Sequence, residues 1–174
     1  PDFHEVAPYT LPPNRRYHAV SMILTEVTNE LIRTTGDASL EPLLDKHVDR
    51  IMNHFVRPER RLLFEFLGSA FEELPPPEGT AVMPGHAIES MWFVMHVARR
   101  RGDRELARRA AEVMRWHLEA GWDPEYGGIF LGIDAEGRPP YLGNPEKKLW
   151  WPHTEALYGL LLAHHLTGES WCMD

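Results

Sequence analysis

Apolar residues recur along this chain at helical spacing, in stretches that stop at a shared punctuation. Val20, Ile23, Leu24, Val27 and Leu31 form one stretch. Ile88, Met91, Trp92, Met95, Val97 and Ala98 form a second, and Leu157, Leu160, Leu161 and Leu166 a third. Steps of three and four place such residues on one face of an α-helix. The stretches break at Thr35-Gly36-Asp37, Arg101-Gly102-Asp103 and Thr167-Gly168-Glu169, and the interval from Gly36 to Gly102 equals that from Gly102 to Gly168. Glycine at such a break supplies a left-handed C-cap, and an acidic residue opens the next helix. A second, more charged periodic stretch follows each of the first two breaks. It contains Leu43, Leu44, Val48, Ile51, Met52 and Phe55, and then Leu106, Ala110, Val113, Met114 and His117.

Other positions keep the same interval: Pro58 with Pro124, Glu59 with Glu125, Phe64 with Phe130, and Glu89 with Glu155. A shared period of this length indicates stacked supersecondary units. The pattern predicts an all-α repeat of helix, tight turn, helix and long loop. The more apolar first helices are the inner ones, near 17–34, 86–101 and 153–167. Outer helices are expected near 38–55 and 103–120. Short apolar runs beside turn residues, at 62–66 and 128–134, read as small β-hairpins, with residues 134–137 as the tip of the second. Residues 1–174 read as a single domain. A helix pair in such a repeat cannot bury its apolar face alone, so the chain is expected to be part of a longer protein.

Composition narrows the function classes. The chain has 174 residues, is 43% hydrophobic and 25% charged, and carries a net charge of −8. It is long enough for one real core. The acidic balance and the lack of a basic patch with interleaved aromatics disfavour nucleic acid as a partner. The arginines at 99–101, 104, 108, 109 and 115 have the spacing of a solvated helix face. No apolar run reaches the roughly 18 residues that span a bilayer, so no membrane partner is expected. A lone cysteine, Cys172, fits a reducing, cytoplasmic setting.

Inner helices of such a repeat run parallel, so their N-termini gather at one mouth. That rule selects three clusters: Asn14 with His18, His86 with Glu89, and Trp150 and Trp151 with Glu155. His86 and Glu89, three apart, share a helix face. Aromatic faces suit the C–H face of a sugar, and carboxylates and amides bind its hydroxyls. Each residue also has a purely structural role open to it: a cap, a core ring, or a charge favoured at a helix N-terminus. Their convergence on one mouth is what favours a site. The histidines elsewhere lack carboxylates at metal-ligand spacing, and no phosphate-binding glycine loop or nucleophile elbow is present.

Two of these segments, Pro-Gly-His-Ala-Ile-Glu at 84–89 and Lys-Lys-Leu-Trp-Trp-Pro-His-Thr-Glu-Ala at 147–156, resemble the N-acylglucosamine 2-epimerase family. Trp122-Asp123-Pro124 with Gly127-Gly128 is also similar to that family. The resemblance implies an (α/α)6 toroid of six helical hairpins, of which this chain would be the middle part. It implies a monosaccharide or disaccharide substrate and no metal or redox cofactor, and leaves self-association as a homo-oligomer open. Carried over by position, His86 resembles a catalytic histidine and Glu89 its neighbouring carboxylate. Asn14, His18, and Trp150 or Trp151 fall at substrate-binding positions, although Ser21 stands where the family commonly has a Glu after His18, and the mouth geometry adds Glu155 to them as a substrate-binding candidate. A second catalytic histidine is expected beyond Asp174, so this segment alone is expected to be inactive.

The implied chemistry is proton abstraction at C2 of an open-chain aldose by a neutral imidazole, giving an enediolate. Return of the proton to the opposite face of C2 yields an epimer, and return to C1 yields a ketose. An aldose–ketose isomerase is therefore the nearest alternative. A glycoside hydrolase using Glu89 and Glu155 as paired acids, and a non-catalytic binding protein, are the others.

Overall fold

In the computed structural model, residues 5–6, 9–10, 14–141 and 144–173 are described. Among them are five α-helices: α1 (His18–Thr35), α2 (Glu41–Asp49), α3 (Pro84–Arg101), α4 (Arg104–Gly121) and α5 (Trp150–Thr167). The glycine punctuation does what the sequence indicates. Gly36, Gly102 and Gly168 end α1, α3 and α5 at φ of 73°, 68° and 75°, each returning its N–H to a carbonyl of the last turn. An added Cβ would meet nothing within 4 Å at any of them, so the backbone conformation, not space, calls for glycine. Asp103 then caps α4 by accepting the Leu106 N–H at 2.9 Å.

The first outer helix is less regular than expected. A 3-10 turn at Ala38–Leu40 precedes α2, and a π-helical turn at Arg50–Phe55 follows it. Pro42 lies in the first turn of α2, where its missing N–H costs nothing. Arg100 and Arg101 both reach Glu41, so part of the basic run ties α3 to α2 rather than facing solvent.

The inner helices α1, α3 and α5 are parallel. His18 meets Ser90, Glu26 meets His96 and Asn29 meets Arg100, so residue numbers rise together along α1 and α3. Trp151 meets His86, Glu155 meets Trp92 and Tyr158 meets His96, so they also rise together along α5 and α3. Helix α3 lies between the other two and is almost wholly buried, with Ile88, Met91, Val94, Met95 and Val97 fully enclosed. Its half-exposed positions are His86, Glu89, Trp92, His96 and Arg100. Steps of three and four place them on one stripe, the half-exposed side of the helix. α4 covers the far side with small residues, Ala107, Ala110 and Ala111, which allow close approach.

Short antiparallel strand pairs close the loops. They are β1 (Glu5–Val6) with β2 (Tyr9–Thr10), β3 (Arg15–Tyr17) with β6 (Phe66–Gly68), β4 (Val56–Arg57) with β5 (Leu62–Leu63), and β7 (Ala81–Val82) with β8 (Ile133–Asp134). The β4–β5 hairpin has a counterpart one repeat later, in the bridge between Trp122 and Ile129. The rest departs from the sequence expectation. β6 and β8 are not arms of local hairpins, and residues 134–137 form a turn but no hairpin tip. Each instead returns to the strand that leads into its own unit's inner helix. Strands of two or three residues carry too short a pattern to fix a partner in sequence.

The outer flanks of the row are apolar and uncovered. Ile23, Val27 and Leu31 on α1 are 47%, 49% and 46% exposed, and Leu157 and Leu161 on α5 are 64% and 60% exposed.

Candidate active site

At the mouth where the inner helices begin, the side chains of Glu65, His86 and His18 meet. Glu65 lies in a run of buried residues at 62–67 and is itself only 4% exposed. Its carboxylate oxygens stand 3.2 and 3.1 Å from Nδ1 of His86. From the other side, Nδ1 of His18 approaches Oε2 of Glu65 at 3.8 Å. That is too long for a hydrogen bond. Nε2 of His18 lies 3.0 Å from Ser90 Oγ, and its ring is sealed against Phe55, 5.6 Å between centroids.

The backbone holds Glu65 at the seam of two units. Its N–H donates to Ala81 O at 3.1 Å, in the strand leading to α3, and its C=O accepts the His18 N–H at 3.0 Å, at the start of α1. Two residues back, the Leu63 N–H donates to Nε2 of His117 on α4 at 2.8 Å.

The electrostatics follow from this placement. Burial pulls the His86 pKa down, but the hydrogen bond to Glu65 and the charge of that carboxylate outweigh burial and leave it above 6.5. Burial pushes the Glu65 carboxyl up, and its imidazole partners outweigh that and hold it below the usual range. His18 is lowered by burial, with Glu65 opposing only in part. Glu89 is raised by burial and then by the nearby charge of Glu155, against a smaller effect of His86.

Each residue named from sequence can now be placed. His86 and Glu89 are on the half-exposed stripe of α3. Trp151 joins them, its ring 5.6 Å from that of His86 and tilted by 40°. It lies so close over Gly85 that an added Cβ there would stand 2.7 Å from the ring. Trp150 is 77% exposed, so of the two tryptophans Trp151 is the one beside His86. Glu155 accepts the Trp92 indole N–H at 2.7 Å. His18 is fully buried behind Glu65 and does not reach the half-exposed stripe of α3, contrary to its expected place as a sugar contact. The reason is its helix face, which turns toward Ser90 and Phe55. Asn14 is exposed at φ 62° just before β3, with no hydrogen bond to this cluster among the described residues.

Sequence reasoning missed Glu65, and the one signal for it was an acid inside an apolar run. It also missed a second polar contact lower on the stripe, where His96 joins Glu26 at 2.9 Å and Tyr158 at 2.6 Å. His18, Glu65 and His86 offer three possible ligand atoms within 4.8 Å of one another. Within this group the Glu65 carboxylate lies in direct hydrogen-bond reach of the His86 imidazole.

A row of parallel inner helices backed by outer ones, with an imidazole–carboxylate cluster at its mouth, defines part of an (α/α)6 toroid with a site suited to proton transfer. The chain belongs to the N-acylglucosamine 2-epimerase family. The family model described as N-acylglucosamine 2-epimerase (GlcNAc 2-epimerase) matches residues 3–174. N-acylglucosamine 2-epimerase of Bos taurus is 36% identical over 160 residues, and that of Rattus norvegicus 33% over 159. Both alignments cover 87% of this chain but only 36% of the relative, so the chain spans about a third of the length of the curated relatives it matches. Among solved structures, a sugar epimerase from a ruminal bacterium superposes with TM-score 0.76 at 16% identity, over 91% of this chain and 39% of that one. Cellobiose 2-epimerase from Bacillus thermoamylovorans superposes with TM-score 0.74 at 16% identity, over 90% and 38%. A D-mannose isomerase does so with TM-score 0.74 at 14% identity, over 94% and 43%.

Proposed function

We propose that the protein carrying this chain is a sugar 2-epimerase in which His86 removes the proton from C2 of an open-chain monosaccharide or disaccharide aldose. The observation that carries this reading is the state of His86. One ring nitrogen is tied to a buried carboxylate, and among the described residues no hydrogen bond occupies the other, Nε2, on a ring that lies on the half-exposed stripe of α3. A neutral imidazole titrating near physiological pH is a suitable base for a carbon acid next to a carbonyl. Trp151 offers an aromatic wall beside it, and Glu89 and Glu155 offer carboxylates to sugar hydroxyls. Inversion at C2 needs a second proton-transfer group on the opposite face of the enediolate, which the remainder of the toroid is to supply.

In this reading the chain is the middle of the toroid, and neighbouring hairpins cover the apolar flanks of α1 and α5. The free, buried Cys172 is consistent with a cytoplasmic enzyme.

The test is His86→Asn in the full-length protein, assayed with N-acylglucosamine, cellobiose and mannose in deuterium oxide. Turnover is expected to fall about 10²–10⁴-fold, with KM changing far less. Wild-type product is expected to carry solvent deuterium at C2. Deuterium at C1 would assign a ketose-forming isomerase instead, and near-normal turnover by His86→Asn would remove His86 from the mechanism.

A further inference from the structure

Glu65 is a buried carboxylate at the mouth, only 4% exposed, and the fold does not require a charge there. Its counterpart one repeat later is Leu131, so the same loop position in the next unit is apolar. Burying a carboxylate is costly unless it is partnered, and the partner here is Nδ1 of His86. The histidine is equally particular to this mouth, since its counterparts one repeat earlier and one repeat later are Val20 and Pro152. An acid and a base that occur together where the repeat has neither constitute one device.

We infer that Glu65 is a positioning residue: its carboxylate accepts the Nδ1–H of His86 and so fixes the ring with Nε2 as the proton-accepting atom toward the concave surface. This rests on His86 being the base of the proposed reaction. An ionised carboxylate accepts hydrogen bonds and cannot donate one, so the Glu65 contact selects the Nδ1–H tautomer. The position is rigid. The Glu65 backbone is bonded to both Ala81 and His18, the neighbouring Phe64 N–H donates to Phe55 O at 3.2 Å, and Leu63 is held by His117. The other charged or titratable groups near His86 are His18 on α1, behind Glu65, and Glu89 on α3. Neither makes a hydrogen bond to its ring among the described residues. The carboxylate also stabilises the imidazolium that forms when the C2 proton arrives, so its effect belongs to the turnover step more than to binding.

The test uses the full-length protein with ¹⁵N-labelled histidine. In the wild type, the ring shifts of His86 are expected to report Nδ1–H with Nε2 unprotonated at high pH. A wild-type Nε2–H tautomer overturns the proposal whatever the activity. Glu65→Gln keeps the size and an accepting oxygen but removes the charge. It is expected to keep the tautomer, to move the acid limb of kcat/KM to lower pH, and to reduce kcat by about 10–100-fold, the scale on which such supporting partners act, with little change in KM. Glu65→Ala is expected to lose the tautomer preference as well. Unchanged kcat and an unmoved acid limb in Glu65→Gln overturn the proposal. Failure of the underlying reading shows separately, as turnover that survives His86→Asn.

Discussion

Nε2 of His117 accepts the backbone N–H of Leu63 at 2.8 Å, while its Nδ1 donates to Val113 O at 2.8 Å. Both nitrogens of a fully buried ring are therefore assigned, and protonating Nε2 would break the bond to the loop that carries Glu65. Burial pulls the His117 pKa down to about 4, with the neighbouring hydrogen bonds and His18 making smaller contributions. As pH falls through 6.5 the unfolded chain takes up a proton that the folded one refuses. Stability from this group is thus complete above about pH 7 and is lost between 6.5 and 4, by about 3 kcal/mol in all. His18 acts with the same sign and His86 with the opposite one, so the comparison must be with a variant. Urea unfolding at pH 7 and pH 5 is expected to show a stability difference that shrinks in His117→Gln. An equal difference in both proteins would exclude His117 as its source.

Trp151 sits over Gly85, and the same ring lies beside His86. Gly85→Ala must push the indole aside, because the new methyl would stand 2.7 Å from it and 3.1 Å from Pro152. Such overpacking costs about 1–3 kcal/mol, and substrate binding is expected to weaken as the aromatic wall moves. Trp151→Leu removes the ring, so in its presence Gly85→Ala is expected to cost much less. A double-mutant cycle measures this directly, and additive losses would show that the glycine is required for some other reason.

Residues 1–174 produced alone are expected to self-associate through the flanks bearing Ile23, Val27 and Leu31, and Leu157 and Leu161. Contiguous exposed apolar surface of this kind is rarely left uncovered in a monomer. Sedimentation velocity is expected to show oligomers that dissociate when Val27→Glu and Leu161→Glu are combined. The same pair placed in the full-length protein is expected to lower its melting temperature, since there the flanks would be buried. A clean monomer from residues 1–174 would contradict the toroid assignment of these surfaces.

The helices were legible because two local signals, apolar periodicity and left-handed glycine caps, agree on the same boundaries. The inner helices fall at 18–35, 84–101 and 150–167 against expectations of 17–34, 86–101 and 153–167. The mouth was legible for the same reason, since parallel helices with known starts must gather their first turns. What the period cannot give is which neighbour a given face meets. His18 and His86 both open inner helices, yet one turns to Ser90 and Phe55 and is sealed, while the other turns to the open side. Glu65 was hidden because a carboxylate in an apolar run reads as a strand residue until its distant partners are known. The strand partners were hidden likewise, because β3–β6 and β7–β8 each join segments separated by a whole helix pair, through pairings too short to advertise themselves.

Those two pairs bear on how such a chain can grow. Each joins the strand before an inner helix to the loop after its outer helix, so a stretch running from one lead-in strand to the next carries its own clasp. Duplicating that stretch copies the helices and the fastening together, and the copy arrives already closed. Only contacts across the seam, such as the Glu65 N–H on Ala81, have to be matched anew. Chemistry can therefore be confined to one seam while another copy keeps an apolar residue in the corresponding place, as Leu131 does.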